Sequence, residues 1–305
     1  IDYSLRSNIS IRWNQSLNNA LGNDLIDQEI GPLTILFGHE NGKYPHGNAL
    51  VIQGTEKSAI VDPNLGTKAR ANAGVTLPDV DMVIHSHAHE DHIAGSHLFP
   101  DVPWYIHEAD AVGLTGIDGL MKIYGLDEPL NSQMKAAFLD EFHYSSNDDV
   151  VTFDDGDVID LGGVQIKVIH TPGHTRGHSC FSITWDGSDE GFVYLGDIDL
   201  TGFGPYYGDS WSDLKSFEAS IEKLRHVQAH WWQTFHHKGL IEGRDNFLEM
   251  LQAFSAMIEK REASLLEFLG EPRNMDQLVE HRFIYRPGAQ TPMIDIIERR
   301  RITMH

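Results

Sequence analysis

Between residues 87 and 92 the chain reads His87-Ala88-His89-Glu90-Asp91-His92, placing three imidazoles and the Asp91 carboxylate within one short turn. The turn follows an apolar run, Val80 to Ile84, that reads as a buried strand ending at the site. Neutral imidazole nitrogen and carboxylate oxygen are the ligands that zinc and similar divalent ions take. A histidine tag would be terminal, whereas this cluster sits between a strand and a helix-like stretch, Ile93 to Phe99. Whatever fold the chain adopts must therefore deliver a buried strand end to a metal-binding turn.

The surrounding texture is that of a layered α/β protein. Leu33–Phe37, Ala49–Ile52 and Ala59–Val61 are short apolar strands joined by loops rich in Gly, His, Asn and Pro. A helix over Lys68–Ala73, a strand at Trp104–Ile106 and a mostly helical stretch over 107–147 follow. Val150 to Ile169 reads as strand, Asp-Gly turns and strand, and Phe181–Trp185 with Phe192–Leu195 reads as a hairpin through Asp186-Gly187. Leu214, Phe217, Ile221 and Leu224 mark one face of a helix over Ser212–Val227, and Phe247, Leu251, Phe254 and Ile258 mark another over 245–269. Strands and helices thus alternate in two successive halves. The expected organisation is an N-terminal arm (1–31), a main domain (32–244) and a C-terminal helical appendage (245–305). That appendage would serve as pocket wall or homodimer contact.

Charge narrows the partners. With 45 acidic against 23 basic side chains the chain carries a formal charge of −22, a field that repels phosphate backbones. Arg299-Arg300-Arg301 is a slender basic run against it, so nucleic acid is a poor fit as substrate or partner, and a small molecule is expected instead. No run approaches the ~18–20 apolar residues of a membrane span. The single Cys180 rules out an internal disulfide framework. No signal-peptide pattern opens the chain and the cytoplasm is the expected compartment, although the start at Ile1 leaves room for a removed leader. At the other end, the helical pattern of 293–302 suggests a chain that continues past His305.

Three later segments each end a strand with a candidate ligand: Thr171-Pro172-Gly173-His174-Thr175, Leu195-Gly196-Asp197, and Phe235-His236-His237-Lys238-Gly239. With the first turn, their order resembles the metallo-β-lactamase superfamily, from about Leu33 to Ile241. The resemblance implies that 32–244 is the catalytic domain, an αββα four-layer sandwich of two mixed β-sheets flanked by helices, and that the tail 245–305 is similar to the small helical or winged-helix appendage of some members. It also implies two zinc ions, with iron or manganese as other candidates. His87, His89 and His174 would hold the first, Asp91, His92 and the late histidine the second, and Asp197 would bridge them. Two histidines compete for the last role, His236 and His237; setting F-H-H-K-G-L-I against the family's P-G-H-G-P-V-I places His237 on the ligand and His236 at the preceding glycine. His85 is expected to point elsewhere, and His170 and His178 to act as hydrogen-bonding histidines.

Two divalent ions ~3.5–4 Å apart share a water and bring its pKa from 15.7 towards ~7, giving a hydroxide for attack on an acyl carbonyl. Asp91 would add a proton shuttle to its ligand role. Asp197 stands where the best-known zinc β-lactamases carry a cysteine, which leaves at most weak or promiscuous β-lactamase activity. The remaining branch resembles glyoxalase II and the lactonases, so ester, lactone or thioester hydrolysis is the expected reaction. A mononuclear iron persulfide dioxygenase of the same fold is the rival. Tyr44 and His46, on the loop 38–47, and Tyr206 and Tyr207, just past Asp197, are the expected substrate contacts.

Overall fold

The computed structural model describes residues 27–286 and 292–305, so the expected arm lies outside the described residues except at its end. There Gln28–Ile30 forms an additional edge strand, β1. A first sheet of seven strands has the order β1–β2–β3–β4–β5–β6–β7. Its further members are β2 (Leu33–Leu36), β3 (Ala49–Gln53), β4 (Ser58–Val61), β5 (Met82–Ile84), β6 (Trp104–His107) and β7 (Val150–Phe153). The pairings β4–β5, β5–β6 and β6–β7 are parallel and the others antiparallel. A second sheet runs β13–β12–β11–β10–β9–β8, built from β8 (Val158–Asp160), β9 (Val164–His170), β10 (Ser179–Trp185), β11 (Phe192–Tyr194), β12 (Trp231–Gln233) and β13 (Leu240–Glu242). Only β11–β12 is parallel in it. The expected hairpin is present in register, with Phe181 opposite Tyr194 and Ile183 opposite Phe192.

Side-chain alternation along the strands explains the layering. Leu50, Ile52, Val61, Ile84, Ile166, Phe181, Ile183 and Tyr194 fill the space between the two sheets. Their neighbours Ala49, Val51, Ile60 and Val83 turn the other way, into a second apolar cluster with α3 (Ile117–Tyr124) and α4 (Leu130–Asp140). Earlier helices in chain order are α1 (Leu65–Asn72) and α2 (Glu90–Ile93). Asn64 caps α1 by accepting from the Gly66 and Thr67 amides. On the far side, Cys180, Val193, Leu195 and Trp232 pack under α5 (Leu214–Arg225) and α6 (Arg244–Phe268). Strands apolar on both faces need helices on both outsides, and the result is the αββα sandwich.

Two elements differ from the sequence expectation. The stretch Ile93–Phe99 is a single turn of α2 followed by a 3₁₀ turn at Ser96–Leu98, because His89 to His92 must curl tightly around the site. The 25-residue α6 is an outer layer of the sandwich, since Phe247, Leu251, Phe254 and Ile258 share the second sheet's buried cluster. Beyond it come α7 (Met275–His281) and α8 (Pro292–Met304). No described helix is long and apolar enough to cross a membrane.

The Phe247 ring stacks on the Trp232 indole with centroids 3.5 Å apart and planes within 3°. Truncating a buried aromatic costs about 3–5 kcal/mol. Phe247→Ala should lower the unfolding free energy by that amount in urea titrations. Leu266→Ala, at a side chain 63% exposed on the same helix, should move it by less than about 0.5 kcal/mol.

Candidate metal centre

Each proposed ligand follows the C-terminal end of a strand. The 87–92 turn follows β5, His174 follows β9, Asp197 follows β11 and His236 follows β12. Gly196 makes the third of these turns with φ +54°, and a Cβ there would lie 2.7 Å from His178 Nε2. His178 Nε2 accepts from the Asp197 amide at 3.1 Å, which sets the carboxylate's direction. The hydrogen-bonding role expected for His178 is thus the one it plays. Asp110 ties the second turn to the first by accepting from Thr175 Oγ1 (2.5 Å) and the Gly177 amide (2.8 Å) on one side and the Ala88 amide (3.4 Å) on the other.

Two donor clusters result. His87, His89, His174 and Asp197 form one, and Asp91, His92 and His236 the other; within each, the ligating atoms lie within 4.8 Å of one another. In the first, His174 Nδ1–H donates to the Tyr206 carbonyl (3.0 Å), which turns Nε2 inward as the atom offered to a ligand. His89 points Nε2 at Asp209 Oδ2 (3.2 Å), which turns its Nδ1 inward. His174 Nε2 and His89 Nδ1 stand 3.0 Å apart, and His87 Nε2 is 3.2 Å from His174 Nε2. Converging lone pairs repel unless a cation sits among them, so the donor set fits a metal ion.

The second cluster is oriented the same way. His92 Nδ1–H donates to Asp62 Oδ2 (2.8 Å), and His236 Nδ1–H is shared between the carbonyls of Gly42 (2.7 Å) and His46 (3.0 Å). Backbone and carboxylate acceptors of this kind fix the tautomer of a metal-ligating histidine. Both Nε2 atoms then face carboxylates: His92 to Asp197 Oδ1 (2.9 Å), His236 to Asp91 Oδ2 (3.0 Å). Asp197 touches both clusters, with Oδ2 3.2 Å from His174 Nε2 and Oδ1 3.7 Å from His236 Nε2. Behind the pair, Phe235 stacks on the His92 ring at 3.6 Å.

Electrostatics follow the geometry. Burial would lower His92 and His236, but facing carboxylates outweigh it: Asp197, Asp91 and Asp62 hold His92 well above its usual value, and Asp197 and Asp91 hold His236 at about 9. Burial would raise Asp197, and the His92 and His236 rings pull it well below the carboxylate range. His87, with burial and three neighbouring imidazoles, is pushed far down and stays neutral. Cys180 is buried in the core, where desolvation pushes its thiol up to about 12, so it offers no thiolate ligand.

The metallo-beta-lactamase superfamily model matches residues 44–253. The chain belongs to that superfamily. Among curated relatives, an uncharacterized protein of Mycobacterium tuberculosis is 36% identical over 148 residues, 46% of this chain and 61% of its own length. The human acyl-coenzyme A thioesterase MBLAC2 is 25% identical over 175 residues, 52% of this chain and 60% of the relative. The hydroxyacylglutathione hydrolase of Maricaulis maris is 33% identical over 125 residues, 39% and 44% respectively. The chain thus spans about six-tenths or less of the length of these relatives. A solved metallo-beta-lactamase family protein of Thermus thermophilus, TTHA1429, superposes with a TM-score of 0.61 over 90% of this chain and 92% of its own, at 21% identity. Rm3 metallo-beta-lactamase gives 0.55 over 77% and 92%, at 17% identity. At these identities the likeness is one of superfamily fold.

Six of the seven expected ligands meet in these clusters, and the seventh, His237, does not. His236 takes the position expected for His237. Phe235 turns inward against His92, so the next side chain, His236, reaches the site. His237 then adopts φ +62° and is directed to the rim of the adjoining cavity. His85 bonds Ser96 Oγ and the Tyr105 carbonyl, away from the site as expected. His170 bonds the Arg176 carbonyl.

Of the substrate candidates, Tyr44 and Tyr206 line the cavity above the clusters and the other two do not. His46 offers its carbonyl to His236 while its ring packs beside His39. Tyr207, one residue past Tyr206, turns into the core and accepts from Arg261. Glu90 was not singled out from sequence. It lies buried between the hydroxyls of Tyr44 (2.9 Å) and Tyr124, both donating to it. Asp110, in the 3₁₀ turn Glu108–Asp110, and Asp209, in a loop, had no local signal either, since neither belongs to a ligand-bearing motif. Asp199 also reaches the cavity, where burial pushes its carboxyl up to about 6.

His236→Ala should lose one equivalent of tightly bound metal by elemental analysis after dialysis, whereas His237→Ala should retain the wild-type content. Asp62→Asn, which keeps the shape but removes the charge behind His92, should weaken metal binding by about 10–100-fold in chelator competition.

Proposed function

We propose that the protein is a dinuclear metal-dependent hydrolase that cleaves an ester, lactone or thioester, with zinc as the metal. The observation that carries this reading is the pair of donor clusters sharing Asp197 at one wall of a cavity of about 690 Å³. Two divalent ions held there would supply an ionised water at neutral pH and polarise a substrate carbonyl oxygen. His87, His89 and His174 would hold one ion, Asp91, His92 and His236 the other, with Asp197 between them.

The chain's own residues do the rest. Asp62, Asp209 and the carbonyls of Tyr206, Gly42 and His46 keep the imidazole nitrogens aimed inward, so no reorganisation is needed when substrate arrives. Asp91 lines the cavity and, beside its ligand role, is the carboxylate placed to take a proton and return it to the departing oxygen or sulfur. Tyr44, anchored to Glu90 and set beside the Phe142 and His236 rings, covers the approach to the second cluster. The thioester member of the substrate set draws support from the names of two relatives, an acyl-coenzyme A thioesterase and a hydroxyacylglutathione hydrolase. A complete second cluster weighs against a mononuclear iron site.

The test is a substrate panel on metal-loaded protein (thioesters, lactones, aryl esters, β-lactams and phosphodiesters) together with elemental analysis. Turnover of acyl substrates with two metals per chain is expected, and Asp197→Ala should lose metal and more than about a hundredfold of that turnover together. One iron per chain with oxygen consumed on a persulfide would overturn the reading, as would full activity in Asp197→Ala.

A further inference from the structure

The cavity over the clusters is divided in character. One part is apolar: Leu130, Met134 and Phe138 of α4 and Met293, Ile294 and Ile297 of α8 line it. The other part is acidic, with Glu90, Asp91, Glu141, Asp197, Asp199 and Asp209 on its surface. Among the described residues that line it there is no Lys or Arg. Arg301 stands behind the wall, its guanidinium 4.3 Å from the Tyr206 ring centroid and fully buried, so its donors do not reach the cavity.

We propose that this cavity binds an apolar acyl chain whose leaving group carries no negative charge. The inference rests on the hydrolase reading above and names the substrate class of the same site. Four of the six carboxylates, Glu90, Glu141, Asp199 and Asp209, lie outside the two donor clusters. Glu90 is held by the Tyr44 and Tyr124 hydroxyls and Asp209 faces His89, so Glu141 at the exposed rim and the half-buried Asp199 are the two that meet an anionic head directly, with the formal charge of −22 over the whole chain behind them. The apolar wall, contributed by two helices, gives an alkyl chain a place to leave water. Each buried methylene is worth about 0.8 kcal/mol, or about fourfold in affinity. Carriers with several phosphates or carboxylates, such as coenzyme A or glutathione, fit the acidic part poorly. The handle for recognition is therefore the acyl chain, and the carrier contributes little.

Non-hydrolysable thioethers test this without relying on turnover. S-alkyl-2-mercaptoethanol (neutral) and S-alkyl-2-mercaptoethanesulfonate (anionic), with ethyl, hexyl and decyl chains below their aggregation concentrations, would be titrated into the metal-loaded chain by calorimetry. Affinity should rise by up to about fourfold per methylene until the cavity is filled. At low salt the neutral decyl compound should bind about tenfold more tightly than the sulfonate, a gap that closes as salt screens the carboxylates. Ala137→Trp, at a half-buried position lining the cavity, should remove the gain from hexyl to decyl and leave ethyl binding unchanged. Met134→Trp provides the same test should the first variant fold poorly. Glu141→Gln, at the exposed rim, should narrow the neutral-to-anionic gap. Sulfonate binding equal to or tighter than neutral, or affinity flat with chain length, overturns the proposal. A chain that shows this binding pattern but hydrolyses no acyl substrate supports the site and refutes the reaction.

Discussion

The Asp62 carboxylate is the interaction on which the centre depends. It lies at the end of β4 in a left-handed conformation, φ +47°, and is fully buried. Four donors converge on it: the Ser86 amide (2.7 Å) and hydroxyl (2.6 Å), His92 Nδ1 (2.8 Å) and the Tyr194 hydroxyl (2.8 Å). Ser86 leads into the histidine turn of the first sheet, and Tyr194 belongs to β11 of the second. One anion therefore joins the two sheets, seats the turn and orients a ligand. A buried charge is tolerable only when it is satisfied, and four donors satisfy this one.

From that anchor outward, the site alternates in sign. Asp62 backs His92, His92 faces Asp197, and Asp197 faces His174 and His236 in turn. Without cations the histidines of the second cluster must hold protons to stabilise the carboxylates, as the raised His92 and His236 show. Binding of metal there must release those protons, so occupancy is coupled to pH as well as to concentration.

Local patterns in the sequence carried most of the fold and most of the centre. The strand-then-ligand rhythm at Val80–His92, Val164–His174 and Val193–Asp197 was legible because each segment is short and its chemistry contiguous. The choice between His236 and His237 was not, because both are histidines on one turn. It is decided by Phe235, whose inward ring is set by a contact with His92 more than a hundred residues away in the chain. Tyr206 and Tyr207 failed to separate for a related reason: neighbouring residues in an extended loop face opposite ways, and the deciding partner, Arg261, lies on α6. Glu90 was hidden inside the motif itself. Its two tyrosine partners come from the 38–47 loop and from α3, which no spacing rule connects. The same holds for the cavity's apolar wall, which needs α4 and α8 brought together.

Phe235 belongs at once to the core between the sheets and to the wall of the second cluster. A Cβ on Gly47 would lie 1.9 Å from its ring, so the 38–47 loop has closed over it with no room to spare. The hydrophobic interior and the reactive centre thus share a single partition one ring thick. Repacking the core from one side would be felt as a change in ligand geometry on the other. In this protein, evolving a more stable interior and keeping a tuned centre cannot proceed as independent searches.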